Sequence, residues 1–227
     1  MDIDYDRIKH IIDNDCFIGS DLHLFHDKLF SEYEPVRKTH ADTRLEFDEK
    51  VIQLIQHSSP FLYLGDFCID TYNPEITNER VKEASLKIID IPKILILGNH
   101  DTAPIELYQM YNWDVIPFGV DMINEKEDLK SQPYLFFEWD GAKVFASHYP
   151  AVLYPDDFSI RYKEYSRQLY EKSQELNADI NIHGHTHSVK LNDKKLINAC
   201  IDGGMFLKFY RISSIAGRWK EEIRKFF

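Results

Sequence analysis

Short apolar runs recur along the chain, and each ends abruptly in glycine, aspartate, asparagine or histidine. They read CFIGSDLH (16–23), FLYLGD (61–66), KILILGNHD (93–101), KVFASH (143–148) and DINIHGH (179–185). Short apolar runs bounded by polar turn residues are typical of buried strands. The pattern therefore predicts five buried strands, each followed by a polar turn.

Segments with a helical period separate these strands. They cover residues 43–57, 79–89 and 162–176, and Pro104 could be the first residue of a further short helix. Thr43 and Glu46 have the spacing of a capping box. Because strand and helix patterns alternate, the sequence favours an α/β domain.

The last third of the chain differs, because its strand patterns are not separated by long helices. The segments YLFFEW (134–139), KLINAC (195–200) and MFLKFYRI (205–212) resemble strands, and Asp202-Gly203-Gly204 is a plausible turn. We therefore expect a second, partly antiparallel sheet. One domain spanning residues 1–227 fits this length.

Composition and charge argue against a protein that binds duplex nucleic acid and against a membrane-spanning protein. Of 227 residues, 44% are hydrophobic, so a sizeable core can form. With 27 basic and 38 acidic side chains the net charge is −11, which is a poor electrostatic match for duplex nucleic acid. The three cysteines lie far apart, and no apolar run is long enough to cross a membrane. We expect a cytoplasmic protein with no membrane span.

Side chains that bind metals follow the predicted strands. They are Asp21, His23, Asp66, Asn99, His100, Asp101, His148, His185 and His187. Open α/β sheets bind ligands at the carboxyl ends of their strands, so five strand ends could share one crevice. Polar turns favour Asp and Asn but not His, whereas imidazole is the commonest protein ligand for transition metals. A metal site explains the pattern better than five independent turns.

The spacing of these residues has a simple geometric interpretation. Residues two apart in extended backbone face the same side, so Asp21 with His23, and His185 with His187, could reach one metal cluster.

The ordered motifs D-x-H, G-D, G-N-H-D, H and G-H-x-H resemble those of the calcineurin-like metallophosphoesterase superfamily, particularly its small single-domain members. Here they stand at 21–23, 65–66, 98–101, 148 and 184–187. Each motif alone is weak, but the five in order are specific. The resemblance implies a four-layer α/β/β/α sandwich with two mixed β-sheets and a metal site at the C-terminal ends of the strands.

The resemblance also implies two divalent metal ions. One would be bound by Asp21, His23, Asp66 and His187, and the other by Asp66, Asn99, His148 and His185, with Asp66 bridging. Mixed nitrogen and oxygen ligands suit manganese, iron, zinc or nickel, and we favour manganese. A hydroxide bridging the two ions would attack phosphorus in line, and His100 would act as general acid or charge stabiliser at the leaving oxygen.

The sequence gives weaker evidence for further roles of four residues. Asn99 could also contact the substrate, and His26 could contact its phosphate or be a solvated loop residue. His183 precedes the glycine of the last motif, so we expect it to be structural or to support a ligand. Asp70 stands four residues after Asp66 without a following Arg-Gly, which argues against the Ser/Thr protein phosphatase branch and leaves its orienting role open.

Four basic side chains precede the first long helix. Arg37, Lys38, His40 and Arg44 could hold a substrate anion, or they could form a solvated helix entry.

The leading hypothesis is a metal-dependent phosphoester hydrolase acting on a small molecule, with a phosphodiester favoured over a monoester. A metal-dependent nuclease is the alternative enzyme, although the acidic charge makes a nucleic-acid partner a weaker prediction. A third hypothesis is a non-catalytic scaffold protein with the same fold. The sequence gives no indication of the oligomeric state.

Overall fold

Two β-sheets pack face to face between helices in the computed structural model, which describes residues 3–69, 73–154, 162–189, 191, 193, 195–203, 209–215 and 217. The α-helices are α1 (Tyr5–Asp13), α2 (Arg44–Gln56), α3 (Pro74–Leu86), α4 (Ile105–Met110) and α5 (Lys163–Glu175). A π-helical turn (Leu29–Tyr33) and a 3₁₀ turn (Pro35–Thr39) precede α2.

The first sheet has five strands in the order β11-β1-β2-β3-β4. They are β1 (Phe17–Gly19), β2 (Phe61–Tyr63), β3 (Lys93–Ile96), β4 (Trp113–Ile116) and β11 (Tyr210–Arg211). Strands β1 to β4 are parallel, whereas β11 runs antiparallel to β1. The four parallel strands therefore present their carboxyl ends at one edge of the sheet.

The second sheet has six strands in the order β10-β9-β8-β7-β5-β6. They are β5 (Gly119–Asp121), β6 (Lys126–Asp128), β7 (Tyr134–Trp139), β8 (Ala142–Ser147), β9 (Ile180–His183) and β10 (Leu196–Asn198). Strands β8, β9 and β10 are parallel to one another, whereas β7 is antiparallel to β8. Both sheets are therefore mixed.

Successive side chains along each strand point to opposite faces of its sheet. The hydrophobic core of the described residues therefore forms three clusters. Leu62 and Ile94 face the second sheet, where they meet Val144 and Ile182, and α1 closes this central cluster. On the other face of the first sheet, Tyr63 packs with residues of α2, α3 and α4. Leu169 of α5 packs on the outer face of the second sheet. The predicted four-layer α/β/β/α sandwich is thus confirmed.

The five predicted strands are present, but they are divided between the sheets. The strands that precede Asp21, Asp66 and Asn99 lie in the first sheet, and those that precede His148 and His185 lie in the second. The described end of segment 205–212 forms β11 in the first sheet, not in the second as expected, and residues 205–208 lie outside the described residues. Periodicity identifies a strand but not its partner.

Some helix ends also differ from the predictions. Helix α3 begins at Pro74, five residues before the predicted stripe, because Asn73 caps it and accepts a bond from the Glu75 amide. Pro104 precedes α4 instead of starting it, and its ψ of 139° is extended. Thr43 caps α2 as predicted.

The predicted capping box of α2 is only half formed. The hydroxyl of Thr43 accepts from the Glu46 amide at 3.2 Å, but the carboxylate of Glu46 accepts from the Asp42 amide at 3.0 Å, one residue before the cap.

In the part of the chain that the structure describes, no helix combines the length and apolar character needed to cross a bilayer.

Candidate metal centre

The carboxyl ends of strands from both sheets meet at one place. Three groups of side chains there have candidate ligand atoms that all lie within 4.8 Å of one another inside each group. The groups are Asp21, His23 and His187; His23, Asp66 and His100; and Asp66, His148 and His185. His23 and Asp66 each belong to two groups, so the three form a continuous cluster.

The backbone of this cluster is not extended, which corrects the geometric interpretation of the D-x-H and H-x-H spacings. The φ angles are 58° at Asp21, 46° at His23, 60° at Asp66, 66° at His185 and 46° at His187. Non-glycine residues rarely adopt this left-handed conformation, which costs free energy and collects at functional sites. Asp21 and His23 nevertheless contribute to the same group, whereas His185 and His187 contribute to different groups.

The group around Asp21 contains buried polar atoms without a hydrogen-bond partner. The Nε2 atom of His187 lies 3.7 Å from Oδ1 of Asp21, and Nε2 of His23 lies 3.8 Å from the same oxygen. Oδ1 of Asp21 and both ring nitrogens of His23 are buried and form no hydrogen bond. Leaving such atoms unpaired is costly, and a bound cation would satisfy Asp21 and one nitrogen of His23.

The other carboxylate oxygen of Asp21 is fully used by its neighbours. Oδ2 accepts hydrogen bonds from the hydroxyl of Ser20 at 2.5 Å, the amide of His185 at 2.8 Å and the thiol of Cys200 at 3.1 Å. These donors fix the carboxylate so that Oδ1 alone faces the cluster.

A second set of contacts surrounds His148. Its Nε2 atom lies 3.5 Å from Oδ2 of Asp66, 3.1 Å from Oδ1 of Asn99 and 3.1 Å from Nδ1 of His185. Its Nδ1 atom lies 2.8 Å from the carbonyl oxygen of Leu64, which can only accept. In the neutral ring, Nδ1 therefore carries the hydrogen and the Nε2 lone pair is directed into the cluster.

His187 is oriented by a carboxylate that the sequence interpretation treated only as a turn residue. Nδ1 of His187 donates to Oδ2 of Asp202 at 2.9 Å, which directs Nε2 towards Asp21. Arg37 donates to both oxygens of Asp202, at 2.7 and 2.6 Å, and also to the carbonyl oxygens of Asp21 and Leu22. Asp202 lies 165 residues from Arg37 along the chain, so no local pattern indicated this contact.

Within the basic segment, the position of Arg37 corrects both expectations for that residue, whereas Lys38 is exposed. The side chain of Arg37 is 1% exposed and bound to Asp202, so it is neither solvated nor open to a substrate anion. Arg44 pairs with Asp27 and Asp48.

Asp101 connects the loops after β2 and β3. Its carboxylate accepts hydrogen bonds from the amides of Gly98 at 2.8 Å, Asp66 at 2.7 Å and Phe67 at 3.0 Å. The fourth residue of the G-N-H-D motif therefore has a structural task, namely holding Asp66 in place.

Glycine is required at two positions where loops of the metal centre approach one another closely. Gly65 has a φ of 94°, and a Cβ atom there would lie 2.6 Å from the Gly98 nitrogen. A Cβ atom on Gly184 would overlap the Ser20 hydroxyl and lie 2.5 Å from Oδ2 of Asp21. These contacts explain why the G-D and G-H-x-H motifs begin with glycine.

His100 lies beside the cluster. Its amide donates to Oδ1 of Asp66 at 2.8 Å, and its ring centroid lies 5.0 Å from that of His23. The second group shows that one of its ring nitrogens comes within reach of Asp66 and His23. Its imidazole therefore borders the space between the two outer groups.

Of the remaining predicted site residues, the structure describes His26 and His183, and neither belongs to the three groups. His26 is half-buried; its Nδ1 accepts from the Leu29 amide at 3.1 Å, and its ring centroid lies 5.8 Å from that of His23. His183 is buried, donates from Nδ1 to the Gly184 oxygen at 2.9 Å and belongs to none of the three groups found among the described residues. Asp70 lies outside the described residues.

The charge of Asp66 raises the pKa of His148, and the hydrogen bond to Asp202 raises the pKa of His187, both against the effect of burial. Burial dominates at three other groups of the cluster. It lowers the pKa of His23 and of His185 to about 3, so these imidazoles are neutral and keep a lone pair for a cation. Burial also raises the pKa of Asp66 to about 6, because its charge is removed from water beside the charges of Asp21 and Asp101. Divalent cations would offset this cost, so the donor set fits them.

Comparison with known proteins agrees with these observations. The model of the calcineurin-like phosphoesterase superfamily domain matches residues 17–206. No curated protein matches the chain significantly in sequence.

The solved structures that match this chain include the following two. A protein of unknown function from Aquifex aeolicus, AQ665, has a TM-score of 0.62 and 22% identity, with 89% of this chain and 98% of that chain covered; it shares the fold. A conserved uncharacterized protein from Streptococcus pneumoniae TIGR4, described as a predicted phosphoesterase, has a TM-score of only 0.35 at 13% identity, over 83% of this chain and 71% of that one. The match over residues 17–206 contains every candidate ligand, and the chain belongs to the calcineurin-like phosphoesterase superfamily.

Proposed function

We propose that this protein hydrolyses a phosphoester, favouring a small phosphodiester, with the help of two divalent metal ions. The observation that carries the proposal is the position of Asp66. Its Oδ2 atom lies 3.4 Å from Nε2 of His23 and 3.5 Å from Nε2 of His148, so one carboxylate lies between two sets of imidazoles.

The donor set suits two cations. One site would be formed by Asp21, His23, Asp66 and His187, and the other by Asp66, Asn99, His148 and His185. Imidazole nitrogens combined with carboxylate and amide oxygens favour manganese, with iron, zinc or nickel as the other candidates. When bound, two such ions offset the charge on a phosphoryl group and lower the pKa of water, which supplies a nucleophile near neutral pH.

Two residues of the chain would act on the substrate directly: Asn99 would orient it and His100 would donate a proton. Asn99 carries an amide beside His148 that can bind a phosphoryl oxygen. His100, anchored through its amide to Asp66, presents an imidazole that can protonate the leaving oxygen or stabilise its charge.

The role of His100 predicts a dependence on the leaving group. A His100→Asn variant should lose about 10²- to 10⁴-fold in turnover of a phenyl ester, since phenolate leaves poorly without a proton. It should lose far less with the p-nitrophenyl ester, whose leaving group needs little protonation. His57→Asn, which changes an exposed histidine directly after α2, is the control. Equal losses with both esters would contradict the role.

Hydrolysis of two model esters tests the proposed reaction. Manganese-loaded protein is expected to hydrolyse bis-p-nitrophenyl phosphate faster than p-nitrophenyl phosphate, and to leave oligonucleotides intact because the net charge is −11. Faster turnover of the monoester would instead indicate a phosphatase, and cleavage of single-stranded DNA or RNA a nuclease. No turnover with manganese, iron, nickel or zinc would contradict the proposal.

A further inference from the structure

Two tyrosine rings lie beside His185, on the side of the cluster that contains His148 and Asn99. The ring of Tyr162 has its centroid 4.1 Å from that of His185, and the ring of Tyr149 lies 4.6 Å from it. Tyr149 and Tyr162 are nearly parallel, with 20° between their planes at 5.7 Å. Tyr165 extends the group, with its centroid 5.2 Å from that of Tyr149. We call these three residues the tyrosine wall.

The tyrosine wall is not simply part of the core. Tyr149 is 8% exposed, whereas Tyr165 is 41% exposed and Tyr162 is intermediate. The wall thus runs from the packed surface of β8 to open solvent along the start of α5. Partly exposed tyrosine rings are characteristic of binding surfaces, because they offer a rigid apolar face with a polar tip.

The wall is also connected to the candidate metal centre. The hydroxyl of Tyr149 donates to Oδ1 of Asn99 at 3.4 Å, and the same oxygen lies 3.1 Å from Nε2 of His148. A phosphoryl group held by Asn99 would therefore have an aromatic surface next to one of its ester substituents.

We propose that the tyrosine wall binds a flat aromatic ring carried by the substrate, so that the preferred substrates are phosphoesters of alcohols bearing such a ring, with nucleosides as the leading class. The proposal rests on the proposed function, since it assigns the wall to the substrate of that site. Stacking on tyrosine depends on the π-face of a base and tolerates different bases, so we expect preference for a ring more than for one base.

Binding of two hydrolysis-resistant analogues tests the proposal independently of turnover. They are the methylenephosphonates of adenosine 5′-phosphate and of ribose 5-phosphate, in which a P–C bond replaces the ester bond. The two ligands have the same phosphonate charge and the same sugar and differ in the base. By calorimetry on manganese-loaded full-length protein, the adenosine analogue should bind on the order of tenfold more tightly.

Single substitutions test which residues of the tyrosine wall cause the tighter binding of the adenosine analogue. Tyr162→Leu and Tyr165→Leu should each reduce the ratio of the two affinities, because leucine keeps apolar volume without a flat ring. Tyr165→Phe should retain the ratio, and so should Tyr170→Leu, which changes a tyrosine farther along α5. Tyr165 is exposed, so its replacement is not expected to disturb folding, and thermal unfolding checks this for each variant.

Each outcome has a defined meaning. Equal affinity for the two analogues, or no measurable binding of either, would overturn the proposal, and so would an unchanged ratio in both leucine variants. Tighter binding of the adenosine analogue that depends on Tyr162 or Tyr165 would support it, even if no phosphoester were hydrolysed. Failure of the proposed hydrolysis and failure of the ring-binding inference are therefore distinguishable.

Discussion

Replacing Asp66 with asparagine is expected to reduce diester turnover by at least about 100-fold and to lower the bound metal from about two equivalents towards one. Asp66 is the only side chain that we assign to both metal ions, and its carboxylate lies between His23 and His148. An amide of the same shape keeps the packing but provides neither the charge nor a second oxygen for sharing. Metal content and turnover measured on the same samples check this.

The same substitution should not destabilise the metal-free protein. Burial raises the pKa of Asp66 to about 6, above the ordinary value of 3.8, so the folded state binds its proton more tightly than the unfolded chain does. The resulting stabilisation is complete below pH 3.8 and is lost as pH rises through 6, so at pH 7 the ionised carboxylate disfavours folding. Asp66→Asn removes that penalty, and its metal-free melting temperature at pH 7 should equal or exceed that of the parent protein.

Asp114 provides a matched control. It is a half-buried carboxylate on β4 whose pKa is also raised to about 6 by burial, and it pairs with Arg7 at 2.8 Å. Asp114→Asn should leave metal content and turnover unchanged. If Asp66→Asn kept two equivalents of metal and full activity, its assignment as the shared residue would be wrong.

Replacing Asp202 with asparagine is expected to weaken metal binding by about 10- to 100-fold, because His187 loses the charged acceptor that orients its ring. It also leaves the guanidinium of Arg37 buried without its carboxylate, which should lower the free energy of unfolding by about 3–5 kcal/mol. Calorimetric metal titration and chemical unfolding measure the two effects separately.

A double variant separates orientation from general instability. Arg37→Met combined with Asp202→Asn removes both buried charges, so stability should recover in part while metal affinity stays low. Metal affinity equal to that of the parent protein in folded Asp202→Asn would show that Asp202 does not orient His187 for binding.

Strand positions and most candidate ligands were predictable because they depend on local order. Each apolar run ends in its motif, and the runs before Asp21, Asp66 and Asn99 do form neighbouring parallel strands. The motifs in order were enough to identify the superfamily, since each places one or two donors at a strand end.

What the sequence did not reveal depends on distant contacts. Nothing near KVFASH indicates that β8 belongs to the second sheet, because strand pairing is set by packing across the whole domain. The support of His187 by Asp202 and Arg37 joins segments far apart in the chain. The left-handed backbone at Asp21 and His185 was not predicted either, because Asp and His adopt this conformation more often than most residues but too rarely to identify the positions.

We propose that one continuous cluster from both sheets binds two cations that are needed for hydrolysis. The most direct measurement is a manganese titration of chelator-stripped protein, with bound metal and hydrolysis of bis-p-nitrophenyl phosphate followed in the same samples. We expect about two equivalents to bind, negligible turnover in the stripped protein, and turnover that rises as the second equivalent binds. Full turnover without metal, or saturation at one equivalent with full turnover, would contradict the account.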